Sequence, residues 1–463
     1  MRRSLIAAVA VTSLTAPLAL ATAGSAAAAP TPPKAPITDF NHDGYADLAI
    51  SAPGKYDSSV PGSVSIVYGS ANGPDKAHAV NINRDTAGVP GTAADGFGGQ
   101  TAAADLDGDG YTDLAVGAVI LWGSAQGLSG QGSVELPSYG GLVTAGDFNG
   151  DGKRDLVTAE YPEPEDPMEN DDEGMTISYG PFQRDGKAAS TQQIATSQTF
   201  GPGDFVAGDV TGDGADDIVT SHGFEEMAHK SQLWKGGKDG VATTSQKLAP
   251  SLGGAVADVD GDGYGDFVTR DIGTSFEDMP YQKGTVLVRY GSASGLSDRS
   301  TKITQDTAGV PGAGEDGDEF GSAISAGDVN GDGFADVAVG VPGEDIETTA
   351  DAGSVVILKG SRTGLTGTGA QAFDQSKPGI PGASEKGDKF GGVVLLSDTN
   401  KDGKADLTVG APDEDGTHAD TGAVWHLHGS ASGLTTTGVD SFGPAAVGAP
   451  DKAGANFGAV LAR

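Results

Sequence analysis

A chain of 463 residues is long enough for two or three ordinary domains or for one large repeat array. Its 75 glycines and modest aromatic content suit many short strands joined by tight turns better than helical bundles. It has no cysteine, so its core, metals or ring closure must hold it together. A formal net charge of −36 argues against a nucleic-acid ligand or an anionic membrane surface, and solubility outside the cell accounts for it better than an acidic docking site.

The N-terminus reads as an export signal over residues 1–29. Arg2 and Arg3 precede a largely apolar run from Leu5 to Ala21, followed by small residues through Ala29. Thr15 and Pro17 interrupt the run, which favours a cleaved signal, with cleavage between Ala26 and Ala29, over an anchor. The paired arginines leave open whether export is general or twin-arginine. A Pro-rich linker, residues 30–36, follows, and no later stretch is long or apolar enough for a helix to span a bilayer. The expected location is extracellular.

From Ile37 onward one short pattern recurs seven times: acids or amides at positions one, three, five and nine of a loop, with glycine at position six, where a sharp turn needs a positive φ. The first copy is Asp39, Asn41, Asp43, Gly44 and Asp47, and the second is Asp105, Asp107, Asp109, Gly110 and Asp113. Next come Asp147, Asn149, Asp151, Gly152 and Asp155, then Asp209, Thr211, Asp213, Gly214 and Asp217. The fifth is Asp258, Asp260, Asp262, Gly263 and Asp266. The last two are Asp328, Asn330, Asp332, Gly333 and Asp336, and Asp398, Asn400, Asp402, Gly403 and Asp406. Oxygens packed this closely repel one another unless a hard cation sits among them, and Ca²⁺ favours six to eight oxygens. Up to seven Ca²⁺ ions are therefore expected. The all-Asp loops two and five should bind best, and loop four, with Thr211, most weakly.

The copies start 66, 42, 62, 49, 70 and 70 residues apart, a period of propeller blades or solenoid turns. Their surroundings repeat too. Phe97-Gly98, Tyr139-Gly140, Phe320-Gly321 and Phe390-Gly391 each begin eight residues before the first Asp. An apolar strand follows each loop, as at Leu48-Ala49-Ile50 or Val337-Ala338-Val339, and several end in Ala-Pro or Val-Pro. A third strand runs up to a glycine, as in Val64–Tyr68, Val286–Tyr290 and Val355–Lys359, and a weaker fourth follows, as in Ala79–Asn83 and Ser300–Thr304. Four strands in seven units predict an all-β, seven-bladed propeller of antiparallel blades over residues 37–463. Blade one lacks an aromatic–Gly strand before its loop. Asn456–Leu461 supplies the missing piece, so the C-terminal strand is expected to complete blade one and close the ring.

At these residues the chain resembles the FG-GAP repeat family, which builds the N-terminal propeller of integrin α chains and of many bacterial exported proteins. The middle repeats are degenerate: blade four starts with Phe200-Gly201 or Asp204-Phe205, and blade five uses Leu252-Gly253. The resemblance implies that the loops joining blades and those after the "GAP" strands lie opposite the metal loops, where partners bind. Glu160–Glu173 belongs to the second class and holds eight acids; its bland reading is a solvated loop, its sharper one a site for a cationic group.

An EF-hand would need a bidentate Glu at position twelve, but Ile50, Val116 and Val339 stand there, inside strands. The ninth-position Asp therefore closes each site, with the seventh residue's carbonyl adding an oxygen. A shell filled by protein oxygens leaves little room to activate water, which makes the role structural. His426 and His428 sit two apart on one strand; a zinc pair is conceivable, but exposed strand histidines are the simpler reading. Gly312–Gly317 matches a dinucleotide-type spacing but lies in a polar loop between strands. Tyr68, Trp122, Tyr179 and Tyr290 share one repeat position beside a glycine, which argues for blade packing. The expected function is a monomeric, non-catalytic module that binds an extracellular protein or glycan; the alternative is a hydrolase or polysaccharide lyase with its site on the channel face.

Overall fold

The computed structural model describes residues 37–462 except 56–59, 92–96, 137–140, 161–172, 199–200, 225 and 276–281. The predicted signal and linker lie outside the described residues, as do Tyr139-Gly140, Phe200 and most of Glu160–Glu173. Among the described residues the chain forms seven four-stranded antiparallel sheets arranged as a seven-bladed propeller. Blades two to seven run inside to outside in chain order, and their inner strands are Thr101–Ala104, Val143–Gly146, Asp204–Gly208, Ser251–Ala257, Ile324–Gly327 and Val393–Ser397. Blade one takes Val460–Leu461 as its inner strand, pairing Leu461 with Ile50 and Val460 with Ser51. The expected closure by the C-terminal strand is what the chain does.

Continuously apolar strands follow from burial on both faces. In blade one, Leu48, Ile50 and Ala52 pack toward blade seven, whereas Ala49, Val64 and Ile66 pack toward blade two. The same alternation around the ring gives seven separate apolar clusters, one between each pair of neighbouring blades. The core is thus a set of seven layers, and each blade is stabilised only through its two neighbours.

The inner strands surround a central cavity of about 270 Å³ whose lining, drawn from all seven blades, includes one ionisable residue, Asp204. The degenerate blades depart locally. Leu252-Gly253 lies within the inner strand of blade five, where the register shifts between Leu252 and Ala255, rather than before it. In blade four Asp204-Phe205 is already strand, paired with Ser221 and Thr220, and the alternative opening at Phe200 lies outside the described residues.

Candidate metal-binding loops

In blades two to seven the Asp-rich loop joins the inner strand to the second strand, and in blade one it leads into the second strand, whose inner partner comes from the C-terminus. Because the blades are antiparallel and run in chain order, all seven loops lie on one face, and the connections between second and third strands and between blades lie on the other. The sixth-position glycines all have φ between 82° and 93°, as the spacing required.

Backbone N–H groups shape each loop. The first Asp accepts, on Oδ2, the N–H of the sixth-position glycine at 2.8–2.9 Å in all seven copies. Its Oδ1 accepts the fifth residue's N–H at 3.0–3.3 Å. The fifth Asp in turn accepts the N–H of the seventh residue at 2.9–3.0 Å. These bonds hold the carboxylates in place before any ion arrives, and they leave lone pairs free.

The ninth Asp has a second task. It starts the second strand, is at most 1% exposed in all seven blades, and accepts on Oδ1 the N–H of the glycine after the third strand at 2.7–3.0 Å. In six blades its Oδ2 accepts the N–H of the loop's second residue. It therefore ties loop, second strand and third strand together. Burial pushes Asp47, Asp113, Asp155, Asp217 and Asp266 up to about 7, against the pull of the two N–H groups. In blade six burial raises Asp336, with the Lys359 ammonium 3.2 Å away opposing it.

In loop two, Asp105, Asp107 and Asp113 bring one oxygen each within 4.8 Å of one another; in loop five, Asp258, Asp260 and Asp262 do the same. These are the two all-Asp loops. Each also carries an arginine that the spacing gave no hint of. Arg184 reaches Asp107 at 2.5 Å and Asp109 at 2.6 Å, and Arg299 reaches Asp260 at 2.5 Å. The third-position carboxylate that makes these loops more acidic is thus answered by a guanidinium, while Asn41, Asn149, Asn330 and Asn400 need none. In loop four, Thr211 turns its hydroxyl onto Asp209 at 3.2 Å, where the other loops offer a carboxylate or a carboxamide. The two arginines come from 75 and 39 residues away in sequence, too far for motif spacing to reveal them.

The FG-GAP repeat model matches residues 35–67, 97–134, 139–174, 320–358 and 390–427. The chain carries FG-GAP repeats. The matched segments fall in blades one, two, three, six and seven, and the unmatched blades four and five are those with degenerate openings. The chain is 30% identical to bovine phosphatidylinositol-glycan-specific phospholipase D over 157 residues, 34% of this chain and 18% of that protein. It is 31% identical to chicken integrin alpha-8 over 225 residues, 44% of this chain and 19% of that protein. The matched part spans about a fifth of either relative. A structural likeness to the Vibrio cholerae biofilm matrix protein Bap1 covers 78% of this chain and 65% of that one at 11% identity, with a TM-score of 0.23, too low to argue from.

Proposed function

We propose that this FG-GAP propeller is an exported module that binds Ca²⁺ in its loops and a protein or glycan on the opposite face, without turnover. The observation that carries the metal reading is the sevenfold loop in which N–H donors pre-position hard oxygen ligands and no nitrogen or sulfur donor belongs to the pattern. The ligands are Asp39, Asn41, Asp43 and Asp47 in loop one and their counterparts in the other six, with Ca²⁺ supplying charge neutralisation rather than chemistry. At about ten times its Kd each ion adds ~1.4 kcal/mol, so several together rival the stability of a domain. The binding reading rests on the family resemblance to integrin alpha chains and on the variety of the loops opposite the metal face. Against a glycosidase in the channel stands its lining, which among the described residues offers the single acid Asp204, itself accepting the Gly253 N–H at 3.0 Å, where such chemistry uses a carboxyl pair.

Two measurements test this. Excess EDTA should lower the melting temperature sharply and Ca²⁺ should restore it; a curve indifferent to EDTA refutes the metal reading. Glycan and protein panels probed with Ca²⁺ present should show capture without product, and sustained turnover of any panel member refutes the non-catalytic reading.

A further inference from the structure

Blade seven breaks the repeat at three core positions together. The second residue of the metal loop is apolar and buried in six blades, Val329 in blade six for example, but is Thr399 in blade seven. Where the second and third strands face each other, six blades oppose two apolar residues, as Ala338 opposes Ile357; blade seven opposes Thr408 to His426. All three polar side chains are at most 1% exposed. His426 is therefore no exposed strand histidine. Two hydroxyls and an imidazole inside an apolar layer cost stability unless they serve one another or a ligand.

They converge on Asp406. Thr399 donates its hydroxyl to Asp406 Oδ2 at 2.5 Å. The His426 ring lies between two threonines, with Nδ1 3.1 Å from Thr408 Oγ1 and Nε2 3.0 Å from Thr399 Oγ1. Since the Thr399 proton goes to the carboxylate, the Thr399 oxygen can only accept, so in the metal-free ring the N–H sits on Nε2 and bonds Thr399 while Nδ1 accepts the Thr408 hydroxyl. A metal taken at Nε2 in place of that proton moves the N–H to Nδ1, where the Thr408 oxygen accepts it and holds the ligating tautomer. His428, on the same strand face, presents a buried Nδ1 that makes no hydrogen bond.

The distances suit either an ion pair or a metal site, and the absence of good hydrogen bonds favours the metal. His426 Nε2 is 3.7 Å from Asp406 Oδ2 and His428 Nδ1 is 3.5 Å from Asp406 Oδ1, too long for good hydrogen bonds. Two ligands of one tetrahedral zinc, each bonded at ~2.0–2.1 Å, stand roughly 3.3 Å apart. One ligand atom from each of the three residues lies within 4.8 Å of the others. Blade one covers the group with its Ser70–Gly73 turn, and a side-chain carbon at Gly73 would come 3.2 Å from His428 Cε1.

We propose that Asp406, His426 and His428 form a transition-metal site that takes Zn²⁺ at the seam between blades seven and one, with Thr408 positioning His426. Imidazole nitrogens distinguish it from the oxygen-only loops, which suit Ca²⁺. Asp406, the ninth residue of loop seven, then ligates zinc and leaves Asp398, Asn400 and Asp402 as that loop's Ca²⁺ ligands, the one exception to the sevenfold set proposed above.

The test uses the full chain saturated with Ca²⁺. Calorimetry should find one Zn²⁺ per chain that excess Ca²⁺ does not displace, and Co²⁺ should bind there with the visible ligand-field absorption of a tetrahedral nitrogen–oxygen site. Since His426→Ala risks misfolding, the decisive variant is His428→Ala, whose side chain is 27% exposed. It should lose more than about tenfold in Zn²⁺ affinity, while Thr408→Val should lose about tenfold or more with its ligands intact. Zinc binding absent from the Ca²⁺-saturated wild type, displaced by Ca²⁺, or unchanged in His428→Ala overturns the proposal.

Discussion

At six of the seven blade bases a buried aspartate accepts backbone N–H groups from two directions, and this structural duty can be separated from the proposed Ca²⁺ binding at single residues. Asp155 is fully buried and accepts the Phe148 and Gly180 N–H groups, whereas Asp151, four residues earlier, is exposed and bonds only within its own loop. Removing Asp155 orphans two buried donors at about 1–3 kcal/mol each, so Asp155→Ala should cost roughly 2–5 kcal/mol even in EDTA. Asp151→Ala should cost little in EDTA and show its deficit only with Ca²⁺ present; chemical denaturation in both buffers checks the pair, and equal losses would refute the division of labour. On the opposite face, Glu344 and Glu414 accept N–H bonds from buried Gln305 at 2.5 Å and Gln375 at 2.7 Å. Burial, with added repulsion from Asp318 and Asp388, pushes both glutamates from an ordinary 4.5 up to about 7. A folded value above the unfolded one means that the folded state binds the proton more tightly. The stability they contribute is then fully present below the unfolded value, falls as pH rises through the window from 4.5 to about 7, and is flat above it. The buried ninth-position aspartates of blades one to six act in the same direction when no metal ion stands beside them, whereas at Asp406 burial is outweighed by His426, His428 and Thr399, which lower it. In EDTA the melting temperature should fall between about pH 5 and pH 8, and a Glu344→Gln/Glu414→Gln double variant should fall less steeply. Identical profiles would show that these glutamates do not carry the effect.

Blades contact each other through small devices repeated from one to the next. The aromatic residue ending the third strand packs against a glycine of the next blade's turn. A carbon added at Gly364 would stand 1.9 Å from Tyr290 Oη, and one at Gly127 1.8 Å from Tyr68 Oη. Gly364 also has a φ of 103°, a conformation that disfavours any side chain. Gly364→Ala should therefore cost more than about 2 kcal/mol, strain and clash together, and Tyr290→Phe should recover only the part of the clash due to Oη, since ring carbon Cζ still stands at 2.6 Å. A double variant no more stable than Gly364→Ala would mean that the contact is not the cause. Such elements were legible in the sequence because each is local. Position nine, the glycine at position six and the apolar strand that follows them fall within a dozen or so residues and repeat seven times. The shared position of Tyr68, Trp122, Tyr179 and Tyr290 rightly signalled packing, since three of the four are buried and Tyr68 is half-buried. What escaped was set by neighbours distant in sequence. Arg184 meets loop two only because blade three lies beside blade two. The burial of His426 could have been read by setting it against Ile357 and Leu233, its register equivalents, instead of judging it from its own strand.

At the scale of the ring, stability depends on seven interblade layers that form a closed cycle, so the closing strand matters more than its two residues suggest. Without Val460–Leu461 the strand Leu48–Ala52, which is wholly buried, becomes an edge with unpaired N–H and C=O groups and an apolar flank. The cluster between blades seven and one would lose Phe457 and Leu461 as well, both at most 5% exposed. Phe457 takes the place in blade one that Phe320 and Phe390 hold in blades six and seven, with its N–H bonded to Thr421 O at 2.9 Å. A chain ending at Asn456 keeps all seven metal loops and six of the seven layers, so Ca²⁺ alone should not rescue it. It should melt well below the full chain in saturating Ca²⁺, in more than one step as the open array frays from blade one, and self-associate through the exposed edge. Val460→Pro, which removes a single N–H from the closing strand without shortening the chain, should move in the same direction by a smaller amount. Scanning calorimetry and light scattering of the two variants would decide the point. A monomeric truncation that melts in one transition near the full-length temperature would mean that the layers, and not the closure, hold the ring.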